Sequence, residues 1–190
     1  MRLWTVQPDE VYALISDNGV YHCDSEKTEC IKYLGFTAPY QWLSEQMTKR
    51  VGPPPDGVDF PVWAWHTMKW EHKRPDMRRS EFRSEKRPFV LMEIEIPDKD
   101  VLLSDEELWH FVLNDSYLSD AENETDFEED WDRFDLLSEE EQQKEKESSW
   151  ERIFAVSPPI DNGWNKVGRF IQATFWELRK EQVIRIWRYI

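Results

Sequence analysis

Apolar and polar positions along the chain alternate in two rhythms, one of strands and one of helices. Residues 2–7 (RLWTVQ) alternate as a half-buried strand. Pro8, Asp9 and Glu10 then open a helix with Val11, Leu14 and Ile15 at helical spacing, and Gly19 ends it. A second helix starts at Thr37 and Pro39 and runs to Arg50, with Tyr40, Leu43 and Met47 on one face and Gly52 as its stop. The run Pro53-Pro54-Pro55-Asp56-Gly57 dictates an extended segment and a turn, leading into a strand over 62–65. Residues 69–88 read as a surface loop. The clearest strand is 89–96 (FVLMEIEI), with Val90, Met92, Ile94 and Ile96 on one face and Leu91, Glu93 and Glu95 on the other. Ser104 with Glu107, and Ser138 with Glu141, have capping-box spacing, predicting helices over 105–113 and from 138 to near Phe154. Two strands follow, over 169–176 and 183–189. Helices interspersed among strands without βαβ rhythm predict an α+β fold: a single domain over 1–190, with a mainly antiparallel sheet flanked by helices.

Composition narrows the class. In 190 residues, 39% hydrophobic and 33% charged, there are 11 Trp and 10 Phe, which excludes disorder, collagen-like repeats and a membrane-spanning protein. Each aromatic side chain buries on the order of 150 to 250 Å², so an aromatic-rich core is expected. The start, MRLWTVQPDE, lacks the apolar stretch of a secretory signal, and two cysteines are too few for a disulfide framework. Both point to the cytoplasm, with no membrane partner expected.

The net charge of −15 is unevenly spread. Residues 69–88 hold eight Lys/Arg against four Asp/Glu, whereas residues 93–151 hold four against 23. The acidity therefore belongs to a segment predicted as a helical insert over 115–149, docked through Phe127, Trp131 and Phe134 at i, i+4 and i+7 with its carboxylates in water. Net charge opposes wrapping of duplex nucleic acid, but an acidic insert can lie apart from a basic working face.

Candidate chemistry is sparse. His22, Cys23 and Cys30 are potential zinc ligands, but no C-x₂₋₄-C pair or second cluster completes a site, so no metal is expected. Glu93 and Glu95 share a strand face, as either an acid/base pair or solvent-facing residues. No Gly-rich phosphate loop occurs. The basic island sets Arg74, Arg78, Arg79 and Arg83 near Trp63, Trp65 and Trp70. Guanidiniums grip phosphates and indoles stack on bases, so this mixture suits a nucleotide or a single strand, or else is a charged loop offsetting the insert. In the tail, Gln172, Thr174, Glu177 and Glu181 stand beside aromatics, where a carboxylate can hold a ribose hydroxyl or can simply be a surface residue.

The segments LWTVQPDEVY, GVYHCD, PYQWLSEQMTKR, VGPPPDGVDFPVWAW, RPDMRRS, EIEIPDKDVLLSDEELWHFVLN, SWERIF and IQATFWELRKEQV together resemble an uncharacterised bacterial family over nearly the whole chain. That resemblance implies no reaction. In outline the chain is also similar to the ADP-ribosyltransferase-like fold, although Thr5 and Gln7 stand where that family carries His or Arg on its first strand. This second resemblance implies an NAD-using enzyme, with Glu177 as the catalytic carboxylate, Tyr21 and Trp63 stacking on nicotinamide, and Arg78 or Arg79 on the pyrophosphate, with Gln172 beside them. The alternative is a non-enzymatic module that grips single-stranded nucleic acid, or an acidic protein segment, through its Trp/Arg surface.

Overall fold

The computed structural model describes residues 1–24, 26, 35–79, 82 and 88–189. Its frame is a six-stranded antiparallel sheet. The elements are β1 (Arg2–Pro8), α1 (Asp9–Asn18), β2 (Val20–His22), α2 (Thr37–Arg50), β3 (Val62–Met68), β4 (Phe89–Glu95) and β5 (Leu102–Asp105). These are followed by α3 (Glu106–Leu113), α4 (Glu124–Asp135), α5 (Glu139–Trp150), β6 (Ile160–Asp161), β7 (Lys166–Val167), β8 (Phe170–Phe175), β9 (Glu177–Arg179) and β10 (Val183–Tyr189). The sheet order is β10-β4-β1-β3-β8-β5; β2 with β9, and β6 with β7, form separate two-stranded ribbons. The α+β class with a mainly antiparallel sheet is thus as the pattern predicts.

Period-two alternation separates the faces of the sheet. Leu3, Val62, Ala64, Val90, Met92, Ile94, Ala173 and Phe175 form one face, covered by Val11 and Ile15 of α1 and by Leu178 of β9. The helix lies there because Pro8 turns the chain off β1 and Gly19, at φ +80°, sends it back after one short helix, its N–H donating to the Ile15 carbonyl at 3.0 Å. The opposite face is aromatic. At one end Leu43 and Met47 of α2 pack with Trp109, Trp150, Ile153 and Trp176; at the other Trp4, Met68 and Leu91 pack with Met77 and Phe82 of the 69–88 segment.

Two helix starts are instructive. The Ser138–Glu141 capping box is formed: Ser138 Oγ accepts from the Glu141 N–H and Glu141 Oε2 accepts from the Ser138 N–H at 3.0 Å. Ser104 does not cap α3. Pairing of β5 with β8 keeps the chain extended through Asp105, whose carboxylate accepts from the N–H groups of Glu107 and Leu108, both at 3.0 Å, and of Gly168 at 2.6 Å. Burial pushes the Asp105 carboxyl above its usual range, against those three hydrogen bonds.

In the acidic segment, Phe134 is buried and stacks on Tyr117 at 4.3 Å, while Trp131 and Phe127 contact Tyr117 and Trp164 respectively. The predicted stripe is present but does not act alone. Trp150 at the end of α5 is buried against Trp42, and Asp130 and Glu145, expected in water, are both engaged by Arg133 and the Tyr117 hydroxyl.

Candidate functional site

β3 does not end in an ordinary turn. Met68 and Glu71 exchange backbone hydrogen bonds at 2.9 and 3.3 Å across Lys69-Trp70, which have φ of 53° and 70°. Such two-residue turns normally carry Asn-Gly, because side chains with Cβ atoms rarely tolerate φ > 0. Two bulky residues held there represent strain of order 1 to 3 kcal/mol each, the kind of outlier that clusters at ligand sites. The Trp70 N–H donates to the Arg169 carbonyl at 2.9 Å, fixing the turn against the start of β8.

Beneath the turn lies a cavity of about 680 Å³, walled by Trp65, Trp70, Arg79, Phe82, Arg169 and Phe170 with Lys69 and Glu106 at its margin. Two guanidiniums lie over the Phe170 ring, with Cζ of Arg169 5.0 Å and of Arg79 5.6 Å from its centroid. Arg169 is oriented by Glu107, to which it donates through Nε at 2.9 Å and through Nη2. That partner raises the Arg169 pKa, so the guanidinium is charged at any working pH. Glu106 faces His110 at 3.3 Å.

Across the sheet, Ser104, Gln172, Trp65 and Trp4 fall opposite one another on successive strands. Among the described residues, buried side-chain polar atoms without a hydrogen-bond partner are Trp4 Nε1, Trp63 Nε1, Ser104 Oγ, Gln172 Oε1 and Trp131 Nε1. Four of the five belong to this face, and unsatisfied buried groups in a folded protein are exceptional.

The residues singled out in the sequence separate into three places. Arg79 lines the cavity, and Gln172 sits next to its Trp65 wall. Trp63 is one step along β3, enclosed by Tyr40 and Trp109 at 5.8 and 5.3 Å in the aromatic core. Arg78 points outward, its side chain 85% exposed, and grips Asp76 through Nε at 2.9 Å and Nη2 at 2.8 Å, which holds the Asp76 carboxyl well below the usual range. Arg74 covers the Trp187 ring at 4.5 Å. Arg83 and Cys30 lie outside the described residues.

Glu177 and Tyr21 belong to the β2–β9 ribbon. His22 Nε2 lies 3.2 Å from Glu177 Oε2, and Arg179 Nε donates to Glu177 Oε1 at 2.7 Å. Burial raises the Glu177 pKa, but these two partners outweigh it and hold the carboxyl below its ordinary value. Tyr21, opposite Leu178, packs against the aliphatic core, and burial, aided by Cys23 and Asp24, pushes its hydroxyl up to about 12. Glu177 lines a separate cavity of about 500 Å³ with Trp176, Arg179 and Asp100. Phe170 is on β8 of the large sheet, whereas Glu177 begins β9 in the separate ribbon, beyond a bend at Trp176. The structure therefore brings Arg79 and Trp65 together, with Gln172 alongside, and does not bring Glu177, Tyr21 or Arg78 to them.

Residue type alone does not single out Arg169 and Phe170 as site components, nor Glu107 with them. Their signal is topological: the Met68–Phe170 pairing places the start of β8 beside the basic island, across 102 positions of sequence. Elsewhere Glu93 is taken by Arg2 at 3.3 Å while Glu95 is exposed. Among the described residues no three His, Cys, Asp or Glu side chains form a group that could hold a metal, and no helix is long and apolar enough to cross a membrane.

Fold and cavity define an α+β protein with an antiparallel sheet and a cationic, aromatic pocket at the β3 turn. Its family is the domain of unknown function DUF3841, to which the chain belongs through residues 2–184. No curated protein and no solved structure matches the chain.

Proposed function

We propose that the protein binds a nucleotide unit, phosphate and base together, in the cavity beneath the Lys69-Trp70 turn. The observation that carries this is the pair of guanidiniums, Arg79 and Arg169, over the Phe170 ring, with two indoles, Trp65 and Trp70, on the same cavity. Guanidiniums recognise phosphate oxygens with paired donors, and an indole face accepts any base. Trp70 is 40% exposed, so its ring is open to a partner. Glu107 orients Arg169 from behind, which fixes the guanidinium before ligand arrives and lowers the entropy lost on binding.

The ligand class agrees with NAD, a free nucleotide or a single strand. The ADP-ribosyltransferase-like reading rests on Glu177, which lines a different cavity and is engaged by His22 and Arg179. The geometry favours a binding role over that reaction, and over a purely electrostatic grip on an acidic protein segment, which would leave the indoles unused.

Isothermal titration with AMP, ribose 5-phosphate and inorganic phosphate tests the reading. AMP is expected to bind more tightly than ribose 5-phosphate by at least about fivefold, the smallest contribution typical of one stacked base. Arg169→Gln should weaken AMP at least tenfold, while Arg78→Gln and Glu177→Gln leave it unchanged. Absence of AMP binding at millimolar concentration, or equal binding of all three probes, overturns it. Hydrolysis of NAD that Glu177→Gln abolishes would instead establish the transferase-type reading.

A further inference from the structure

The Arg169–Glu107 pair is also a partition. Glu107 is on the wall of a second cavity of about 600 Å³, bounded by Phe127, Trp164, Lys166 and Arg152, whereas Arg169 is on the wall of the nucleotide cavity. Two of the 11 tryptophans, Trp70 and Trp164, are markedly exposed, at 40% and 42%, and each lines one of these two cavities. Two indoles, one on each cavity, with the Arg169–Glu107 pair shared between the two walls, have the form of two stacking platforms with a cationic station between them.

We infer that the ligand has two ring units joined through phosphate and spans both cavities, one base on Trp70, the linking phosphate at Arg169 and the second base on Trp164. This rests on the nucleotide reading and extends it from one unit to two. The span is bounded: the Trp70 N–H is 2.9 Å from the Arg169 carbonyl, and the five residues from Arg169 back to Trp164 reach at most about 18 Å. Charge is consistent with this. In a chain of net −15, the two cavities gather five cationic side chains against four carboxylates. Of those carboxylates Glu107 is occupied by Arg169, Glu106 faces His110, and Asp120 and Glu122 stand on the second cavity with Arg152 and Lys166, so the cationic excess lies on the Arg169 side. On the far side Arg152 donates to the carbonyls of Leu118 and Ser119 at 3.0 and 2.6 Å, a fixed guanidinium at the back of the second cavity. Lys166, on β7, is exposed at its margin.

Two ligand sources share this chemistry, a dinucleotide such as NAD and a short single strand, and three titrations of the full chain separate them. AMP measures the first cavity, NAD the dinucleotide, and single-stranded tetra-deoxyadenylate the strand. At least one of the two longer probes is expected to bind about tenfold or more tightly than AMP. Trp164→Ala should bring that probe back to within about threefold of AMP while leaving AMP unchanged. Because Trp164 touches Phe127, the exposed Lys166→Gln serves as a second variant. It should weaken the longer probe about threefold or more and, for the strand, reduce the slope of log affinity against log salt by about 0.7. AMP binding as tightly as both longer probes, or both variants leaving the longer probes unaffected, overturns the two-cavity ligand and leaves the one-unit reading intact. Failure of all three probes to bind removes both.

Discussion

The two faces of the central sheet differ more than their shared backbone suggests. On the α1 side the packing is almost wholly aliphatic, and the polar groups that enter it are matched: Thr5 Oγ1 donates to the Trp63 carbonyl at 2.7 Å and accepts from Gln7 Nε2 at 2.9 Å. The opposite side is aromatic, and on it Trp4, Trp63, Ser104 and Gln172 keep buried polar atoms without partners among the described residues. Leaving a buried donor or acceptor unpaired costs about 1 to 3 kcal/mol, so the second face is not optimised for stability. The first face is a core in the ordinary sense. The second combines core packing with a cavity, a strained turn and surplus polarity, the combination expected where binding constrains the sequence.

The largest effect that would sharpen this contrast is on the aliphatic face. Ile94 is fully buried there, and Ile94→Ala should cost about 3 kcal/mol from lost burial and the void it leaves. Urea denaturation reads this as a lower midpoint at unchanged slope. Nucleotide affinity measured below the transition should not change, because Ile94 points away from the cavity. A weakened affinity in the folded variant would show that the two faces are coupled rather than separate.

How far the sequence reveals each face follows from the same physics. β4 and α1 are legible because long periodic segments and caps at Pro8 and Gly19 act locally. β2 and β9, three residues each, are too short for periodicity, and their pairing of His22 with Glu177 depends on chain return over 155 positions. At α3 the local rule pointed to Ser104, but strand pairing with Gln172 keeps that residue extended and passes the cap to Asp105. The candidate site is half legible. Trp65, Trp70 and Arg79 stand out by residue type within one basic, aromatic segment. Arg169 and Phe170 complete the cavity only through β3–β8 pairing, and no local pattern announces that. The same distance effect separates Glu177 from the arginines to which the resemblance had joined it.

An intermediate effect is expected at the turn, with opposite signs for stability and binding. Replacing Lys69-Trp70 by Asn-Gly restores the residues that a two-residue hairpin with φ > 0 favours. Relief of strain should raise stability by about 1 to 2 kcal/mol, seen as a higher urea midpoint. The same change removes the exposed indole, so AMP affinity should fall at least fivefold. A double variant less stable than the parent would mean that Trp70 contributes more packing than strain, and the turn would lose its claim to be shaped by ligand.

The smallest effect isolates hydrogen bonding from packing. Trp4 and Trp150 are each 5% exposed, but Trp150 Nε1 donates to the Ser116 carbonyl at 2.8 Å whereas Trp4 Nε1 has no partner among the described residues. Substituting each by Phe removes the same atoms and comparable apolar area, so the packing losses are similar and largely cancel in the comparison. What differs is the N–H. Trp150→Phe gives up a formed bond and leaves the Ser116 carbonyl short of a donor, while Trp4→Phe removes a donor whose burial was already unfavourable. Trp150→Phe should therefore be the more destabilising by about 1 kcal/mol, measured from the two urea midpoints against the parent. Equal losses would mean that the Trp4 donor is satisfied in solution, by water held in the aromatic face. The polar surplus on that side of the sheet would then be a hydrated pocket, and its hydration would have to be displaced before a base could enter.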